Sequence, residues 1–143
     1  MFAAINLNTI TEYMIISAFP GTAASSFCSW SSCNFSRLTV RLRRWIELGR
    51  AIGVQRLLVD GSFVTNKPEP DDVDAVMFVP ANFSELVAQG VEAALELEEM
   101  FLTRQPEELF PAEDEAVWQG WCEFFGRTRE PDQRRKGLVE ILL

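Results

Sequence analysis

This 143-residue sequence predicts an α/β (α+β) domain: a short mixed β-sheet flanked by helices. Three observations carry that prediction. Two short apolar runs rich in β-branched residues, Arg56–Asp60 (RLLVD) and Val73–Val79 (VDAVMFV), are bounded by turn residues, as buried strands are. Stretches with apolar residues at steps of three and four precede and follow them, which is the pattern of helices that bury one face. The composition, 48% hydrophobic and 24% charged, is that of a globular chain large enough for one core.

Residues 1–36 contain one charged side chain, Glu12, and are rich in Ser, Ala, Phe and Thr. They lack the basic start of a signal peptide, and Glu12 interrupts the apolar run. They read as a low-charge, poorly ordered lead-in, with a short helix near Ile10–Ser17, ahead of a domain at 37–143. No segment reaches the roughly 18 consecutive apolar residues of a membrane span. Asn34 or Ser36 caps a helix to about Ile52, with Gly53 just past its end. On that helix Leu38, Leu42, Trp45, Gly49 and Ile52 form one stripe, and Arg37, Arg41 and Arg44 a basic face beside it.

Between the two strands, Lys67-Pro68-Glu69-Pro70 is loop, because proline cannot donate to a ladder and restricts the residue before it. Asn82-Phe-Ser-Glu85 resembles a capping box and opens a helix towards Ala94. In ALELEEMFLT the alternation of Leu95, Leu97, Glu99 and Phe101 with Glu96, Glu98, Met100 and Leu102 predicts a strand over 95–103. A helix from Asp114 to Phe125 follows, its wide face of Val117, Trp118, Trp121, Cys122, Phe124 and Phe125 assigned to the core. Gly137–Leu142 (GLVEIL) closes the sheet.

Composition excludes much chemistry. Without histidine there is no Ser-His-Asp or Cys-His pair and no HExxH zinc helix. Three cysteines cannot close a four-ligand zinc site, and their odd count without framework spacing fits reduced thiols in a cytoplasm. The net charge of -8 repels phosphate backbones, so duplex nucleic acid is not an expected partner.

What remains is oxygen chemistry. On a strand, Asp72 and Asp74 point to the same face with Cα atoms roughly 6.5–7 Å apart. Two carboxylates that close repel unless a cation lies between them, and an oxygen-only set suits Mg²⁺ or Mn²⁺. Gly61 lets backbone approach a phosphate, and Ser62 offers a hydroxyl and an N–H. The same residues admit a plainer reading, since Pro-Glu-Pro-Asp-Asp is good turn composition, Asp72 can cap it and Lys67 can be a solvated loop charge.

The segment DGSFVTNKPEPDDVDAV, with Gly61-Ser62 and Asp72-Val-Asp74-Ala-Val, resembles the polymerase-β-like nucleotidyltransferase superfamily. Closer still, it looks like a group of small single-domain bacterial nucleotidyltransferase-like proteins of uncertain activity. Further likeness lies in LFPAEDE, EFFGRTRE and KGLVEI. The resemblance implies Asp72 and Asp74 as catalytic metal ligands for Mg²⁺ or Mn²⁺, and a nucleoside triphosphate bound by Gly61, Ser62 and Lys67. It also implies a third carboxylate on a later strand, for which Glu98 is the candidate, with Glu96 behind it. Active minimal members follow Gly-Ser with Arg and Gly, where this chain has Phe63-Val-Thr-Asn-Lys67. The resemblance therefore implies either an enzyme transferring a nucleoside monophosphate to an acceptor, or a silent fold that binds a protein partner as an antitoxin binds a toxin.

Overall fold

The structure is a computed structural model that describes residues 2–6, 30–64, 70–103, 108–127 and 138–143. Strand β1 (Phe2–Asn6) is followed by helix α1 (Trp30–Ala51), strands β2 (Arg56–Asp60) and β3 (Asp74–Phe78), and helices α2 (Phe83–Ala88) and α3 (Glu92–Leu102). Strand β4 (Leu109–Ala112), helix α4 (Glu115–Gly126) and strand β5 (Leu138–Leu142) complete it. The five strands lie in the order β1-β5-β2-β3-β4. β2 runs antiparallel to both its neighbours, β5 and β3, whereas β1 pairs β5 and β4 pairs β3 in parallel. The sheet is mixed, as its sequence predicts.

β2 and β3 lie inside the sheet, which is why both read as nearly continuous apolar runs. Leu57, Leu58, Val59, Ala75, Val76 and Met77 are each at most 1% exposed. Alternation sends Leu57, Val59, Ala75 and Met77 to one face, where Leu38, Leu42 and Trp45 of α1 and Ala94 and Leu97 of α3 pack on them. Leu58 and Val76 face the other way, towards Trp118, Cys122 and Phe125 of α4. Each buried aliphatic side chain of this kind contributes roughly 1.5–3 kcal/mol.

Two charged groups lock the layers. The Arg44 guanidinium of α1 donates to both carboxylate oxygens of Glu96 on α3, at 2.9 and 2.5 Å. Arg56, at the start of β2, donates to Glu140 of β5 at 2.6 Å and to Glu115 of α4 at 2.9 Å, and lies 4.4 Å over the Trp118 ring. That clamp fixes α4 to the sheet by ion pairs and a cation–π contact together.

The stretch expected to be a strand over 95–103 is helical. Its Leu-Glu alternation fits both periods, but it has no β-branched residue before Thr103, and Glu, Leu, Met and Ala are strong helix formers. Burial settles the period: Ala94 and Leu97 are fully buried, three residues apart, while Leu95 and Leu102 are exposed. The place beside β3 belongs to β4, whose Pro111 is tolerated because it lies on an edge strand.

The helix expected from Asn82 to Ala94 breaks at Gln89-Gly90, where Gly90 has φ +74°. Asn82 makes no side-chain cap hydrogen bond, so no capping box forms there. Asp114 does cap α4, its Oδ1 accepting from the Val117 N–H at 2.8 Å. At the chain start, residues 2–6 of the lead-in form the edge strand β1, and α1 begins at Trp30, ahead of the Asn34/Ser36 start. The helix expected near Ile10–Ser17 lies outside the described residues. No helix among the described residues is long and apolar enough to cross a membrane.

The helical period of α3 makes a direct prediction. Leu97→Ala destabilises the protein by ~2–5 kcal/mol, whereas Leu95→Ala, two residues away, changes stability by less than ~1 kcal/mol. Denaturant unfolding of the two variants measures this, and a strand facing one way through both positions would give equal losses.

Candidate functional site

β2 ends at Asp60, and the chain turns at Gly61 into a 3₁₀ turn over Ser62–Val64. The turn needs glycine twice over. Its φ is +90°, and a Cβ there would lie 2.8 Å from the Asp72 carbonyl oxygen and 3.1 Å from the Val73 Cα. The turn is thus pressed against the segment leading into β3, and hydrogen bonds hold it there. Phe63 N–H donates to the Asp72 carbonyl at 3.1 Å. Ser62 N–H donates to Asp72 Oδ1 at 3.0 Å, and the Ser62 hydroxyl donates to the same oxygen. That hydroxyl also accepts from the Asp71 N–H at 2.8 Å and the Asp72 N–H at 3.2 Å.

Asp74 opens β3 directly across from Asp60, its register partner on β2. On the other side, Ala75 N–H donates to the Glu108 carbonyl at 2.9 Å, which brings Glu108, just ahead of β4, alongside Asp74. Three neighbouring strands therefore present carboxylates at one end of the sheet. Asp60 and Asp74 share a face with Leu58 and Val76, the face that α4 covers.

Asp60 is 5% exposed. The Asp74 carboxyl is pushed up to about 6, first by burial, then by the Asp72 charge, with Asp60 and Glu108 adding to it and the Glu108 backbone N–H opposing.

The structure brings Gly61, Ser62, Asp72 and Asp74 together, with Asp72 in the segment ahead of β3 rather than on the same strand face as Asp74, and leaves Glu98 out. Glu98 is exposed on α3, a helix rather than a strand, and α3 packs through Ala94 and Leu97 on the opposite face of the sheet. Glu96 is taken up by Arg44. The carboxylate the structure places near Asp74 is that of Glu108. Lys67 lies outside the described residues. Sequence reasoning misses Asp60 and Glu108. The signals for them are the acid that ends RLLVD and the acid directly before the short apolar run LFPA.

Among the described residues, no three Asp, Glu or Cys side chains are gathered closely enough to enclose one ion. The donor chemistry nevertheless fits a hard divalent cation. The donors are all carboxylates, and Asp74, crowded by three others, gains by any charge that relieves it. Burial, and then the Glu140 charge, push the Cys122 thiol up and away from thiolate.

Residues 10–142 match the family DUF6932, described as a family of unknown function, and the chain belongs to it. No curated protein matches the chain, and no solved structure does.

Two outcomes follow from this geometry. Gly61→Ala costs ~2–4 kcal/mol, because both the left-handed angle and the contact with Asp72 must give way; thermal melting measures it. The pH dependence concerns Asp74. Its folded value lies above the unfolded 3.8, so between about pH 4 and 6 the native state holds a proton that the unfolded state has released. Stability falls as pH rises through that window, and the loss is complete above it. Asp74→Asn removes the loss. In chelator, it raises stability by about 1–2 kcal/mol at pH 7.5, after discounting for partial exposure, and gives no gain at pH 4.

Proposed function

We propose that this protein is a Mg²⁺- or Mn²⁺-dependent nucleotidyltransferase-like protein acting on a nucleoside triphosphate in the cytoplasm. The observation that carries the reading is the convergence of Asp72 and Asp74 with the Gly61-Ser62 turn, beside Glu108. Asp72 and Asp74 would hold the metal. When bound, the ion supplies positive charge for the triphosphate and its departing pyrophosphate. Ser62 holds Asp72 in place through its N–H and hydroxyl, so its first role is positioning, and any phosphate contact by Ser62 exchanges against that bond. Glu108, in place of Glu98, takes the proton from the acceptor hydroxyl. Asp60 adds negative charge beneath Asp74 and strengthens its demand for a cation. The acceptor is a protein side chain, an RNA end or a small molecule.

One observation favours a second reading, a catalytically silent fold that binds a toxin-like protein. The Ser62 hydroxyl and N–H, which a phosphate would need, are already committed to Asp71 and Asp72.

Incubation with labelled nucleoside triphosphates, Mg²⁺ and candidate acceptors separates the two. On the enzyme reading label transfers, and Asp74→Asn lowers the rate by ~100-fold or more while the variant stays folded. Equal handling of every nucleotide by wild type and variant leaves the binding reading.

A further inference from the structure

Helix α4 ends at the carboxylate row. β4 leads into the helix, whose first turns lie at the far end of the sheet, where Trp118 meets Phe78 edge-on at 5.7 Å. Its last residue, Gly126, lies beside β5, since a Cβ there would come within 4.0 Å of the Leu138 Cδ1. Leu138 is one step beyond the Val59–Val139 pair, which sets it level with Asp60. The helix therefore runs from the Arg56 clamp back to the acidic end of β2 and β3.

What it brings towards that end is aromatic. Phe110 pairs with Val76, and each lies two residues along its strand from Glu108 and Asp74. The Trp121 ring rests on Phe110 at 4.4 Å, tilted by 33°. Phe124, three residues nearer the end of α4, stands edge-on to Trp121 at 5.8 Å. From their apolar character Val117 and Phe124 are expected in the core, yet they are 42% and 64% exposed. The core closes on Trp118, Cys122 and Phe125 instead. Phe110, Trp121 and Phe124 thus form a ladder of rings, the first two half-buried and the last open to solvent. Because β4 is an edge strand, the ladder stands at the side of the sheet, next to Glu108.

We infer that this ladder is the stacking shelf for the base of the nucleoside triphosphate, whose phosphates the carboxylate row would hold through its cation. The inference deepens the nucleotidyltransferase reading and rests on it. A base is flat and uncharged, so it gains little from the carboxylates and much from rings beside them. Stacking uses the π-face that every base has, so the shelf takes all four bases, purines more tightly for their larger face. The rings brace one another, so little side-chain freedom is lost when a base arrives.

Equilibrium dialysis of the full chain in Mg²⁺, against ATP and against inorganic triphosphate as the base-free ligand, tests the shelf. Wild type is expected to bind ATP at least ~tenfold more tightly than inorganic triphosphate. Phe124→Leu, which keeps an apolar side chain but loses the π-face, weakens ATP ~fivefold or more and leaves triphosphate unchanged. Phe124→Tyr keeps wild-type affinity for both. Either variant melts within a few degrees of wild type, because the ring lies mostly outside the core. Asp74→Asn weakens both ligands alike, which separates loss of the cation from loss of the shelf. If wild type binds neither ligand, the nucleotidyltransferase reading fails and the shelf falls with it. If ATP binds through Asp74 but no more tightly than triphosphate, or is unmoved by Phe124→Leu, the shelf alone is wrong. A dimer that Phe124→Leu dissolves in sedimentation, with ATP affinity unchanged, gives the ring to a second copy and overturns the shelf as well.

Discussion

The antiparallel pairing of β2 with β3 is the constraint on which the rest depends. Its register sets Asp60 and Asp74 opposite one another, and the turn that joins the strands closes back so tightly that only glycine fits at position 61. Like charges this near, partly withdrawn from water, oppose folding. The fold carries them because the same two strands supply its driest core: six apolar side chains on β2 and β3 that are essentially inaccessible to solvent. Hydrophobic burial there outweighs an electrostatic cost a few residues away. A cluster of carboxylates that raises the pKa of one of its members is where function is to be sought.

The two layers support this arrangement differently. On one side, α1 and α3 are joined by the Arg44–Glu96 pair and bury Trp45, Leu38 and Leu97 against the sheet. On the other, α4 is held by Arg56, whose guanidinium joins Glu140, Glu115 and the Trp118 face. Arg56 begins the strand that Asp60 ends, so the clamp at one end of β2 steadies the acidic row at the other. Cys122 packs beside this clamp, with Trp118 and Phe125.

Much of this was legible in the residues. RLLVD and the Asp74–Phe78 part of VDAVMFV are interior strands with apolar centres, and the stripe Leu38–Leu42–Trp45 is on a helix, because in each the local pattern and the tertiary burial agree. ALELEEMFLT misled because its alternation satisfies two periods at once, and only the position of Leu97 against the core decides between them. LFPA was hidden because four residues with a proline carry little strand signal; an edge position beside β3 makes them one. That omission also hid Glu108, which enters the site only through the β3–β4 register. Asp60 was hidden in the opposite way: it reads as the polar end of a strand, and its role comes from its partner across the ladder.

The proposed function places a cation at the carboxylate row where β2 ends and β3 begins. The nucleotidyltransferase reading, the metal and the role of Glu108 all rest on it. Titration with Mn²⁺, followed through the electron paramagnetic resonance signal of the free ion, tests it most directly. Wild type is expected to sequester Mn²⁺, and Asp72→Asn and Asp74→Asn each to weaken binding by ~10–100-fold while remaining folded. A wild type that leaves the free-ion signal untouched up to about 1 mM Mn²⁺, or variants that bind as well as wild type, would contradict it.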